Sequence, residues 1–108
     1  MENRVHFFYD QNQDRAFAYR TEPADEGRAI RAEVAVTYRH PNDNDDHRIA
    51  RSVLVNRLNA FDNPRNAGKV MEAFVFMPSP ETARQYRELE ETIKNQVDLR
   101  LPTPAARH

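Results

Sequence analysis

The chain reads as an α+β fold, a four-stranded mixed sheet with two helices packed on it in the order βββαβα. Three observations predict this. Ile30, Ala32, Val34, Val36 and Tyr38 alternate with Arg31, Glu33, Ala35, Thr37 and Arg39, the two-residue period of a half-buried strand. Two later stretches, 47–61 and 83–97, space their apolar residues by three and four, the period of a helix. Short aromatic runs divided by polar segments precede both.

Residues 5–9 (Val-His-Phe-Phe-Tyr) and 16–20 (Ala-Phe-Ala-Tyr-Arg) flank the polar loop 10–14 and predict a β-hairpin. Residues 22–27, which hold one of only two glycines, turn the chain again before the alternating strand. Pro41 and the polar run 42–46 end that strand. Asp45 or Asp46 caps the helix over 47–59, where Ile49, Val53, Leu54, Leu58 and Phe61 form one arc, and Asn63-Pro64 stops it. Residues 70–77 are apolar on both faces apart from Glu72, which predicts a central strand covered on both sides. Ser79 and Pro80 supply a cap and a first-turn proline for the second helix. Ala83, Tyr86, Leu89, Ile93 and Val97 make its apolar stripe. A right-handed crossover through the first helix would set the fourth strand parallel to the first or third. Residues 1–100 are expected to form one domain, with 101–108 a flexible C-terminal tail.

At 108 residues, two independent cores are not expected. Six Phe and four Tyr, with the aliphatic residues, suffice for one. The net charge of -1 gives no global attraction to nucleic acid or an anionic membrane. Charge is nevertheless segregated. Residues 21–46 carry Glu22, Asp25, Glu26, Glu33, Asp43, Asp45 and Asp46 against Arg28, Arg31 and Arg39. Residues 47–69 carry Arg48, Arg51, Arg57, Arg65 and Lys69 against Asp62 alone. The absence of cysteine removes disulfides and thiolate chemistry, and the first residues lack the apolar stretch of a signal peptide. A cytoplasmic location is the expectation, with no membrane partner.

The segment 40–47 (His-Pro-Asn-Asp-Asn-Asp-Asp-His) places oxygen ligands at alternate positions, as a calcium loop does, but lacks that loop's glycine and distal Glu. His40, Asp43, Asp45 and His47 form the constellation that a metal-dependent enzyme would use; a solvated turn followed by a helix cap is the preferred reading. The element order, with Asp10 ending the first strand, resembles the start of a ribonuclease H-like fold, whose carboxylates gather two metal ions. The helix over 47–59 holds no carboxylate and the fourth strand ends in Met77-Pro78, so catalysis by that route is not expected. The sequence holds no nucleophile elbow, P-loop, dinucleotide fingerprint or paired-histidine zinc motif. No catalytic residue, cofactor or metal ligand is assigned, and the chain is expected not to be an enzyme.

Contact is the better use of these residues. Arg48 and Arg51 lie on the polar side of the first helix, with Arg65 and Lys69 in the loop beyond. With Asn42, Asp43 and Asp45 they form the expected partner-binding surface. Arg57 falls inside the apolar arc and Glu72 interrupts an apolar strand, which predicts an ion pair between them. Were both helices on one face of the sheet, the other would expose Phe and Met side chains and suit a homodimer.

From Val34 through the polar turn and the arginine-bearing helix to Leu58, the chain resembles small accessory proteins of tailed bacteriophages. The resemblance covers about a quarter of the chain and implies no reaction. It implies action by binding a host cytosolic protein. The expected function is therefore a small protein-binding module, a phage-encoded inhibitor or adaptor of a host protein. A nucleic-acid-binding accessory protein using the basic helix is the alternative, and a metal-dependent enzyme using His40, Asp43, Asp45 and His47 is the second.

Overall fold

The computed structural model of the chain describes residues 4–38 and 47–101. In order these residues form β1 (His6–Asp10), β2 (Arg15–Ala24), β3 (Ala29–Tyr38), α1 (His47–Asn59), β4 (Val70–Val75) and α2 (Ala83–Arg100). Short 3-10 turns occur at Gln11–Gln13, Asp25–Gly27 and Pro64–Asn66. The α+β class and the βββαβα order are as the sequence predicts. The four strands make one sheet in the order β1-β2-β3-β4. Every neighbouring pair is antiparallel, so the sheet is not mixed. The cause lies in the return from α1. Val36 N–H donates to Lys69 O at 3.0 Å, so the chain re-enters beside the end of β3 that it has just left, and β4 must run the other way.

Asp10 Oδ1 accepts from the Asn12 backbone N–H at 3.1 Å, and Asp14 takes a left-handed φ of 48°, which closes the first hairpin. β2 continues past the expected turn, through Pro23 to Ala24. Proline has no N–H for a ladder, but β1 pairs only as far as His6↔Tyr19, so Pro23 lies on an open edge among the described residues. The turn itself takes positive φ at Asp25, Glu26 and Gly27.

Alternation along the strands sorts the side chains onto two faces. One face carries Phe8, Phe17, Tyr19, Ile30, Ala32, Val34, Val36, Met71, Ala73 and Val75, and packs against Leu89, Ile93 and Val97 of α2. The opposite face carries Ala16, Ala18 and Ala35, with Phe7 and Val70, beneath Ala50, Leu54, Leu58 and Phe61 of α1. Three alanines in the seat let α1 sit close to the sheet. The seam of α1 differs from the expected arc by one position, for Ala50 packs inward while Ile49 is 63% exposed. The helices thus cover opposite faces, and β4 is an edge strand, covered on its second face only at Val70, not a central strand.

α2 also starts later than Ser79-Pro80 suggests. Its cap is Thr82, whose Oγ1 accepts from Gln85 N–H at 3.2 Å while Gln85 Oε1 accepts from Thr82 N–H at 3.1 Å. This reciprocal pair satisfies two donors at once, which a lone serine cap cannot.

Arg15 is fully buried beneath α2. Its Nε donates to Asp10 Oδ2 at 2.9 Å, and Nη2 lies 2.7 Å from Asp98 Oδ1. The guanidinium carbon sits 4.9 Å from the Phe17 ring centroid. Burial opposes its charge, but Asp10, Asp98 and Tyr38 outweigh burial and hold the group above its ordinary pKa. Arg15→Met leaves the carboxylate of Asp10 buried and unpaired. It is expected to lower stability by about 3–5 kcal/mol, read as a fall in melting temperature of at least about 12 °C. Asp10→Leu in the same chain should recover most of the loss in thermal denaturation. A double variant no more stable than Arg15→Met would assign the cost to packing instead.

Candidate functional site

The face that seats α1 is covered over only half its length. Cross-strand rows show why. The row Phe7–Ala18–Ala35–Val70 is apolar and lies under α1. The next row is Arg20–Glu33–Glu72, and the one after it is Glu22–Arg31–Phe74. Phe76 follows on the same parity.

Arg20 marks the border. Its Nε donates to Glu33 Oε1 at 2.7 Å and its Nη2 to Leu58 O at 2.9 Å, satisfying a carbonyl in the last turn of α1. Glu33 and Glu72 stand directly opposite each other, an unfavourable like-charge pair. Arg31 bridges them. Its Nε and Nη2 lie 2.7 and 2.6 Å from Glu72 Oε2, its Nη2 lies 3.3 Å from Glu33 Oε2, and its Nη1 donates to Glu22 Oε1 at 2.9 Å. Arg20, Thr21, Glu22, Arg31 and Glu33 line a shallow depression here. Beyond it Phe74 and Phe76 pack edge to face, centroids 5.3 Å apart, and stand 42% and 78% exposed. Two phenyl rings beside an ordered charge lattice form an exposed apolar patch with a polar rim.

Of the residues expected to bind a partner, Asn42, Asp43 and Asp45 lie outside the described residues, as do the metal candidate His40 and the caps Asp45 and Asp46. Nothing described bears on them, nor on the tail beyond Leu101. Arg51 donates to the Tyr9 hydroxyl at 3.2 Å and lies over the Phe7 ring at 5.1 Å, so α1 holds it against β1. Lys69 adjoins the start of β4, the opposite edge of the sheet, and Arg65 is exposed on the turn before it. Arg48 is exposed on α1. Arg51 and Lys69 are therefore set apart across the sheet.

The expected Arg57–Glu72 pair does not form. Arg57 reaches instead to the Val36 carbonyl, at the point where β4 has not yet begun. Burial lowers its pKa, and this acceptor lets the cation stay within the apolar seam. Glu72 is taken by Arg31. His6 and Phe8 face α2 together with Met71 and Met77. The exposed pair is Phe74 and Phe76, and Glu72 was its signal. In a strand, a carboxylate marks the face it stands on as wet from that point, and both rings follow it on the same parity.

A second group of titratable side chains lies under α2. His6 stacks between Tyr19 and Tyr86, each 5.1 Å away, and Tyr19 donates its hydroxyl to Glu90 Oε2 at 2.8 Å. Burial, and secondarily Arg4, lowers the pKa of His6. Burial raises Glu90, against the opposing hydrogen bond from Tyr19. Burial, followed by Glu90, pushes Tyr19 well up. Among the described residues no group of three or more His, Cys, Asp or Glu could hold a metal ion. No described helix is long and apolar enough to cross a membrane.

Comparison with protein-family models, with curated proteins and with solved structures finds no match to this chain.

Two outcomes follow from this geometry. Arg31→Leu leaves Glu33 facing Glu72 unbridged and should lower stability by about 1 kcal/mol. Glu72→Gln in that background should restore most of it in urea denaturation, whereas without the repulsion the second change would be neutral or harmful. The depressed pKa of His6 means the unfolded chain takes up its proton first, so stability falls as pH drops below 6.5. The raised pKa of Glu90 acts oppositely, favouring the fold as pH falls towards 4.5. Wild type should thus be less stable at pH 5.5 than at 7.5 in its His6-dependent part. His6→Phe should shrink that difference, and an unchanged difference would place the titration elsewhere.

Proposed function

We propose that this chain is a small protein-binding module that docks through the uncovered half of its sheet. The observation that supports this most directly is the exposed pair Phe74, on a strand whose other face is packed against α2, and Phe76, just past that strand's end. An edge strand held by its neighbour and by α2 presents the rings with little freedom left to lose on binding. The charged rows beside them are already hydrogen-bonded, so they offer an ordered rim. The target on this reading is a protein of the host cytoplasm, and blocking or bridging that protein is the biological role that the phage resemblance implies. The chain acts by contact, without a reaction of its own. The basic residues of α1 and its following loop are then secondary contacts, because Arg51 is engaged with Tyr9 and Phe7.

Affinity capture from extract of the natural host tests the surface. Substitutions at exposed positions commonly change stability by less than about 0.5 kcal/mol, so loss of capture reports contact. Wild type should retain a protein that Phe74→Ser/Phe76→Ser loses and Arg48→Glu/Arg51→Glu keeps. Loss only with the arginine pair would move the docking surface to α1. Equal recovery by all three chains would remove both surfaces.

A further inference from the structure

We propose that the occupant of this face is a cationic, apolar-flanked segment of another protein; this rests on the docking surface described above. The assignment comes from counting donors and acceptors. Arg31 spends its guanidinium on three carboxylates, and Arg20 is divided between Glu33 and the Leu58 carbonyl. Glu33 uses both of its oxygens. Among the described residues Glu22 uses only Oε1 and Glu72 only Oε2, so each keeps one carboxylate oxygen for a partner. These side chains are 40% and 49% exposed and flank Arg31 on either side. The surface thus presents spare acceptors and two ring faces, while all three guanidinium nitrogens of Arg31 and two of the three of Arg20 are already engaged.

A partner must therefore bring donors. Arg and Lys do so, and their cations also sit favourably over a phenyl ring. Charge points the same way. Three carboxylates face two guanidinium groups on the rows, and the adjoining turn adds Asp25 and Glu26 against Arg28. Arg100, reaching the β4 edge from α2, returns one positive charge at the rim. The balance stays acidic. A second copy docking face to face would bring the same acidic excess and few free donors, and a nucleic acid would bring phosphates. Both are disfavoured by the charge that favours a basic segment.

The test uses the full chain and two short probes: a peptide of alternating Arg and Leu, and its counterpart with Glu replacing Arg. In amide NMR titrations the basic peptide should shift resonances along Glu22, Glu72, Phe74 and Phe76 saturably, and the acidic peptide should not. Binding should weaken with added salt. Phe74→Ser/Phe76→Ser should weaken it roughly tenfold or more. Glu22→Gln/Glu72→Gln should weaken it by about threefold to tenfold and flatten the salt dependence. Thermal melts of each variant confirm that the fold is retained. Equal binding of both peptides, shifts confined to other surfaces, or full affinity in the Gln variant would overturn the cationic assignment. So would self-association through this face in sedimentation. A natural partner captured through Phe74 and Phe76 while the basic peptide fails to bind would also overturn it, leaving the docking surface itself standing.

Discussion

The ten-residue antiparallel pairing of β2 with β3 is the constraint on which the rest of the molecule depends. A slip of β3 by one residue against β2 would reverse its faces. Ile30, Ala32, Val34 and Val36 would leave α2, and Arg31 and Glu33 would enter its core. The register is held from both sides. Phe17 and Tyr19 give β2 large side chains on one face, while Ala16 and Ala18 give it small ones on the other. α2 packs on the large face and α1 sits in the small one. With the register set, the three-strand rows follow, and so does the placement of Arg20, Arg31 and their carboxylates.

Polar interactions then finish what apolar packing begins. Beneath α2, Arg15 and Tyr19 rise from β2 to meet Asp98 and Glu90 of the helix, so the core is fastened at two points along its length. At the edge, Gln96 Nε2 donates to Phe74 O at 3.2 Å and Arg100 Nη1 to Glu72 O at 2.7 Å. These carbonyls point away from β3 and would otherwise recruit another strand. α2 thus blunts the very edge whose face carries the exposed rings. Docking at β4 is therefore steered toward side chains and away from strand addition.

Much of this was legible in the sequence. The alternation from Ile30 to Tyr38 is local and strong, and the stripe Leu89, Ile93, Val97 occupies the core as its spacing requires. What failed depended on position in three dimensions. Residues 70–77 look apolar on both faces, yet the run cannot say whether Phe74 has anything above it; the coverage ends with α1, two rows away. Ile49 and Ala50 differ by one helical step, and bulk favoured the wrong one because the alanine seat of the sheet selects close approach over size. Arg57 and Glu72 were paired as the two polar exceptions of neighbouring elements. Each found a nearer partner, a strand carbonyl and an in-register arginine. The candidate surface escaped notice for the same reason, since its members come from three strands and share no spacing in the chain.

Why the uncovered half stays uncovered is a matter of length and charge. α1 has 13 residues, and at about 1.5 Å per residue reaches about 20 Å. β2 and β3 have 10 residues each, and at about 3.3 Å per residue extend about 33 Å. The shortfall falls on the rows of Arg20, Glu33 and Glu72 and of Glu22, Arg31 and Phe74. Extending an apolar helix over them would strip water from five charged groups and leave the spare oxygens of Glu22 and Glu72 unsatisfied. The same cost filters partners. An apolar surface can cover Phe74 and Phe76, but it leaves those oxygens dry and unpaired. Only a partner carrying donors recovers that loss, so the rings supply the attraction and the carboxylates supply the discrimination.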